Sequence, residues 1–209
     1  MLEIIPFVLG MVQTNTYLLA DDANKEAIVI DPADDGAAIV KTALERQWKI
    51  QAIWITHAHF DHIGGVATLI KALEYSIPIG LHPDDIPLWK MQGGAGLFGL
   101  ELEIGLEPDL LFYSRQVLKL GNNFIEVRHT PGHTPGHVVF YNSQEGVCFC
   151  GDVIFQGSIG RTDLLGGDHQ QLLSSIHENI MTLPDSTRLL PGHGPETTVL
   201  RERAENLFL

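Results

Sequence analysis

The stretch Thr56-His57-Ala58-His59-Phe60-Asp61-His62, followed at once by Ile63-Gly64-Gly65, constrains this chain more than any other part of it. Imidazole nitrogens and carboxylate oxygens bind transition metals, and His57, His59, Asp61 and His62 bring both kinds together. The apolar run Ala52 to Ile55 comes just before and reads as a buried strand. If His57 and His59 continue that strand, its two-residue period puts both rings on one side. On a helix the same two positions would stand about 200° apart, which suits a shared ion poorly. Asp61 and His62 fall where the chain must bend, so they can serve a second position beside the first. Gly64 and Gly65 permit the bend and let the next helix pack closely. One isolated histidine would read as a solvated or core-satisfied residue, whereas this pattern at a strand end reads as a metal site.

Upstream, Glu3 to Leu9, Thr14 to Ala20 and Glu26 to Ile30 form a meander of strands ending at Asp31-Pro32. Asp31 reads either as a local turn residue or as the partner that orients a metal-bound histidine from behind. Helical spacing runs from Asp35 to Gln47 with Asp34 as N-cap, and again from Ile63 to Glu74. Strands are expected at Ile50 to Ile55 and Ile77 to Leu81. Residues 83–112 are irregular, with a glycine-rich part from Met91 to Gly99, and this long connection reads either as a surface insert or, in preference, as a loop that helps to wall the active site. Strands Gln116 to Leu120 and Phe124 to His129 then lead to Thr130-Pro131-Gly132-His133-Thr134-Pro135-Gly136-His137, a stiff loop whose prolines and glycines exclude a helix. The hairpin Val138 to Tyr141 and Val147 to Cys150 ends at Gly151-Asp152. A helix from His169 to Leu183 capped by Asp168, a strand from Thr187 to Leu190, Pro191-Gly192-His193-Gly194 and a closing helix from Glu196 to Leu207 complete the chain.

The 209 residues, 44% hydrophobic and 19% charged, fit one globular domain over 1–209 with a core large enough to need no staples. Cys148 and Cys150 sit on one face of a probable strand, where disulfide geometry is poor, so both read as buried thiols. Met1 to Met11 lacks a basic segment and a long apolar core, so a signal peptide is not expected. No run reaches the ~18 apolar residues of a membrane span. A cytoplasmic protein with no membrane partner is the expectation. The formal charge of −13 repels polyanions, which argues against a nucleic-acid partner.

His57, His59, Asp61, His62, His133, Asp152 and His193 are the polar residues that strand ends would deliver. Seven such ligands fill two four-coordinate sites if one bridges, and a carboxylate can bridge where an imidazole cannot; Asp152 stands apart from the local motif and is the better bridge. With THAHFDH, TPGH at Thr130 to His133, Gly151-Asp152 and PGHG at Pro191 to Gly194 in order, the sequence resembles the metallo-β-lactamase fold superfamily, and within it the glyoxalase II-like hydrolases. The resemblance implies an α/β fold, a four-layer αββα sandwich of two mixed β-sheets flanked by helices, with the site at one edge of the sheets. It implies one metal site from His57, His59 and His133, a second from Asp61, His62 and His193, and Asp152 bridging both. It also implies that Arg161, in the stretch Gly157 to Asp163, faces the thiol portion of a substrate.

Two divalent ions lower the pKa of a shared water from about 15.7 toward 7. With such a metal-bridging hydroxide available, the resemblance to glyoxalase II-like hydrolases implies hydrolysis of a small-molecule thioester, with S-lactoylglutathione as type substrate. Asp61 is the candidate catalytic residue, orienting the hydroxide and later carrying its proton. The two ions with Asp61, Asp152 and hydroxide leave a charge of about +1, which suits an anionic substrate. His137 reads equally as a group orienting a ligand and as a buried loop cap. Zinc is the expected ion, and the same ligands also suit iron and manganese. Asp152 stands where some metallo-β-lactamases place a zinc-binding Cys, which argues against antibiotic hydrolysis. Full-length glyoxalase II continues into a helical region that grips glutathione, whereas this sequence stops about 16 residues after His193, so relaxed recognition of the thiol is expected. Persulfide dioxygenases share the motifs but use one Fe(II); His57, His133 and Asp152 could form that triad, so an oxidoreductase is the alternative, and lactone hydrolysis a hydrolytic variant.

Overall fold

Alternation of side chains builds the molecule. The computed structural model describes residues 2–209. Strands β1 (Leu2–Leu9), β2 (Thr14–Asp21), β3 (Glu26–Ile30), β4 (Lys49–Trp54), β5 (Ile79–Leu81) and β6 (Leu110–Leu111) lie side by side in that order. The first three pair antiparallel and the rest parallel, giving a mixed sheet. A second mixed sheet has the order β14 (Thr197–Thr198), β13 (Arg188–Pro191), β10 (Val147–Gly151), β9 (Val138–Asn142), β8 (Asn123–His129), β7 (Val117–Leu120).

The two-residue period assigns each face. Leu19, Ile28, Ile30 and Trp54 of the first sheet meet Val127, Val138, Phe140 and Phe149 of the second in a shared central core. Their neighbours Leu18, Val29, Ile53 and Ile55 point outward, beneath helices α1 (Gly36–Glu45) and α3 (Val66–Ala72). On the other outer face, Val139, Cys148, Cys150 and Leu189 pack under α5 (His169–Asn179). The result is the expected αββα layering, and both cysteines are free and buried. No helix among the described residues is long and apolar enough to cross a membrane.

Several boundaries differ from the sequence reading. The N-cap of α1 is Asp35 rather than Asp34: the Gly36 N–H is held by Thr68, so the helix starts one residue later and Asp35 accepts from Ala38 N at 3.2 Å. The helix expected over Ile63 to Glu74 is two, α2 (Phe60–Ile63) and α3, because Gly65 N donates to Pro32 O at 2.8 Å and ties the break to the exit of β3. Residues 83–112 are largely structured, with a 3-10 turn at Pro83–Asp85, helix α4 (Ile86–Lys90) and a 3-10 segment at Gln92–Phe98. A small hairpin of β11 (Ile154–Phe155) and β12 (Ser158–Ile159) was not anticipated. The closing helix is shorter, since Thr197–Thr198 add an edge strand and the Thr198 hydroxyl then caps α6 (Val199–Glu205).

Candidate metal centre

The C-terminal ends of β3, β4, β10 and β13 converge at one edge of the sandwich. There Asn15, at the start of β2, is pinned to the loop after β13, its N–H donating to Gly192 O at 2.6 Å and its side chain to Pro191 O and Gly194 O. Strand β4 stops at Trp54, so His57 and His59 lie beyond it in extended loop rather than on the strand itself. The loop still brings them together, with ring centroids 4.8 Å apart. Asp61 and His62 occupy α2, His133 the loop between β8 and β9, Asp152 the residue after β10 and His193 the loop after β13.

All seven predicted ligands meet. His57, His59 and His133 form one group, Asp61, His62 and His193 another, and His57, His62 and Asp152 a third between them, each with ligand atoms within 4.8 Å of one another. The Nε2 of His133 lies 3.2 Å from His57 Nε2 and 2.9 Å from His59 Nδ1. Those spans approach the roughly 3.3 Å edge of a tetrahedron with ~2.05 Å metal–nitrogen bonds. Asp152 Oδ2 stands 3.6 Å from His133 Nε2 and 3.6 Å from His193 Nε2, so one carboxylate oxygen faces both outer groups.

Hydrogen bonds behind the rings fix their tautomers. Asp31 receives the Thr56 N–H at 2.7 Å and the Thr56 hydroxyl at 2.6 Å, and lies 2.9 Å from His62 Nδ1. With its own proton given to Asp31, the Thr56 oxygen accepts from His57 Nδ1 at 3.1 Å. His133 Nδ1 donates to the Arg161 carbonyl at 2.8 Å. Each of these rings therefore turns its Nε2 into the site; the neutral rings of His57 and His133 present it unprotonated, and His62, flanked by carboxylates, would give up its Nε2 proton to a cation, as metal ligation requires. His137 donates from Nδ1 to Thr130 Oγ1 and accepts the Asp152 N–H at Nε2, 3.0 Å in both cases. It is a loop cap, and the backbone it caps is that of the shared carboxylate.

Glycine admits this density. Gly151 adopts φ +47°, where a Cβ would also sit 2.5 Å from Thr56 Oγ1. A Cβ on Gly192 would strike the Asp152 carboxylate and the His62 ring.

The electrostatics call for positive charge. His62 is buried and, although burial disfavours its protonation, Asp152, Asp61 and Asp31 together push its pKa well above the usual value. Burial alone would raise Asp61, but His62 and His193 bring it down to about 2. Asp152 likewise lies below the carboxylate range despite its burial, because of His62, His133 and His193. Burial and the neighbouring His133 hold His59 down to about 3. His62 Nε2 and Asp152 Oδ1 are both buried without a hydrogen-bond partner among the described residues. A metal cation between them would satisfy both orphans and the carboxylates at once, so the residues present fit divalent ions.

A residue that the sequence reading missed braces the site. Asp85, fully buried, accepts from Ala58 N at 2.9 Å, Thr134 Oγ1 at 2.8 Å and Gly136 N at 2.6 Å. It thereby clamps the loop of His57 and His59 to the loop of His133. Its position just before α4, in a stretch without regular periodicity, left no sequence signal for this role. Arg161 lies at the rim with its guanidinium paired to Asp163 at 2.7 and 2.8 Å. A cavity of about 440 Å³ opens over the cluster, and Met91, Gly93, Gly94, Leu97 and Phe98 line it as the wall expected from the glycine-rich stretch.

The Metallo-beta-lactamase superfamily matches residues 9–193. The chain belongs to that superfamily. It is 35% identical over 209 residues to the hydroxyacylglutathione hydrolase GloC of Haemophilus influenzae, covering 100% of this chain and 97% of that one. Among solved structures it is similar to the BLEG-1 B3 metallo-beta-lactamase, with 43% identity, a TM-score of 0.90 and coverage of 100% and 99% of the two chains. It is also similar to TTHA1623 in a di-iron-bound form, with 38% identity, a TM-score of 0.88 and coverage of 98% and 100%. Membership of this superfamily, the metallo-hydrolase relatives and the His/Asp clusters together make the chain a metal-dependent hydrolase working with divalent ions.

Proposed function

We propose that this chain is a thioester hydrolase of the glyoxalase II type, converting S-lactoylglutathione to glutathione and lactate with two divalent ions, zinc in the first instance. The observation that supports it most is the shared carboxylate, with Asp152 Oδ2 3.6 Å from a histidine of each outer group. In this reading His57, His59 and His133 hold one ion, Asp61, His62 and His193 the other, and Asp152 both. Two such ions, when bound, acidify a water and polarise a carbonyl, which is the chemistry thioester hydrolysis needs. Asp61, held to about 2 by His62 and His193, stays ionised and accepts hydrogen bonds at Oδ2, where Thr14 Oγ1 already donates at 3.1 Å. A carboxylate of that kind orients a water toward the carbonyl carbon and keeps no proton of its own near neutrality, so orientation is the part of its expected role that we retain. Asp31 and Thr56 hold the His62 and His57 rings in register, His137 holds the Asp152 backbone, and Arg161 is the group for the thiol portion. The name of the relative GloC supports the thioester reading.

Hydrolysis of S-lactoylglutathione by the metal-loaded protein is the test. Turnover well above that of His59→Ala is the expected result; turnover equal to that variant, with a β-lactam hydrolysed instead, would overturn it.

A further inference from the structure

Two parts of the cavity wall differ in chemistry. One is built by α2, α4 and the 3-10 segment: Phe60, Leu88, Met91, Leu97 and Phe98, none of which offers a polar side chain. The other, from β11, β12 and the loop that follows, mixes the apolar Phe155, Ile159, Leu164 and Leu165 with Ser158 and Arg161, the polar lining residues outside the metal cluster among the described residues. Much of the first part is open to solvent: Met91 is 50% exposed, Leu97 71% and Phe98 52%, with the Phe98 ring 5.2 Å from that of Phe60. Apolar groups left exposed in a ring beside a reactive cluster mark a binding surface.

Charge points the same way. Arg161 is the one cation lining the cavity among the described residues, and Asp163 already holds it in a bidentate pair. Asp31, buried against His62, adds a third carboxylate to the centre. Counting that carboxylate, two ions with Asp61, Asp152 and hydroxide would sum to about zero, so net charge supplies little preference for a charged acyl group over an apolar one.

Building on the thioesterase reading, we propose that the preferred substrate carries an apolar acyl chain or ring, longer than lactoyl, seated on Phe60, Leu88, Met91, Leu97 and Phe98. The polar end of the thiol portion lies toward Ser158 and Arg161. A lactoyl group, with a handful of non-hydrogen atoms and a hydroxyl, would leave that surface wet, whereas a longer acyl chain would bury more of it. Each methylene buried there is worth about fourfold in kcat/KM.

The experiment uses the metal-loaded protein and S-acyl thioesters of one uncharged thiol, N-acetylcysteamine, with lactoyl, acetyl, butanoyl, hexanoyl and octanoyl groups. The expected result is a rise of about fourfold per methylene through hexanoyl. Leu97→Asp and Phe98→Ala, at exposed positions that leave the fold intact by circular dichroism, flatten that rise. A flat series, or one that rises only when the methylenes are moved to the thiol side, overturns the proposal. Calorimetric binding of acetic, butanoic and hexanoic hydroxamic acids reads the same surface without turnover. If no thioester is cleaved yet affinity grows with chain length, the thioesterase reading fails and the apolar acyl surface stands. If affinity does not grow, the surface proposal fails by itself.

Discussion

At the residue scale, the centre depends on carboxylates that never face the substrate. Asp85 is the clearest: three donors from two loops converge on it. Removing it strands buried N–H groups of Ala58 and Gly136, each costing about 1–3 kcal/mol. Asp85→Ala is therefore expected to lower stability by about 2–4 kcal/mol in urea unfolding and to weaken metal binding about tenfold or more. Asp85→Asn keeps an acceptor for two of the three donors and should recover part of both losses. Wild-type metal affinity in the alanine variant would refute the clamp.

At the element scale, the site is a meeting of strand ends, and this explains what could be read in advance. The clustering of the seven candidate ligands was legible because each lies in a short motif next to an apolar strand, and the two-residue period shows where those strands stop. The layering was legible for the same reason: Leu18 and Leu19, or Phe149 and Cys150, face different layers because they are adjacent. What escaped notice was set by tertiary contact. Asp35 displaced Asp34 as a cap because Thr68 reaches back to Gly36, and the helix after His62 split because Gly65 is tied to Pro32. The 3-10 segment after α4 was read only as a glycine-rich stretch, yet Gly93 has φ +63° and a Cβ there would lie 2.7 Å from Ala58 O. Gly93→Ala is expected to push on the loop holding His59. It should cost about 2–3 kcal/mol of stability and reduce bound metal; unchanged metal content would mean that the wall and the His59 loop move independently.

For the whole molecule, acid sensitivity has a source outside the centre. His82 and His129 stack with centroids 4.0 Å apart and planes 8° apart, and burial followed by the His129 neighbour lowers His82 to about 4, with Asp84 opposing. The unfolded chain binds this proton near pH 6.5 and the folded one only near 4. Stability from this group is thus complete above pH 6.5 and is lost as pH falls toward 4. Thermal unfolding followed from pH 7 to pH 4 should show a falling Tm, with a shallower fall in His82→Gln; identical slopes would assign the acid lability elsewhere.

The central claim is that the seven residues form one two-ion site sharing Asp152. Its most direct test is the number of ions bound per chain, measured by elemental analysis after equilibrium dialysis against excess zinc, iron or manganese. Two equivalents, falling to one in His193→Ala, are expected. A single equivalent in the wild-type chain, unaltered by His193→Ala, would contradict the account.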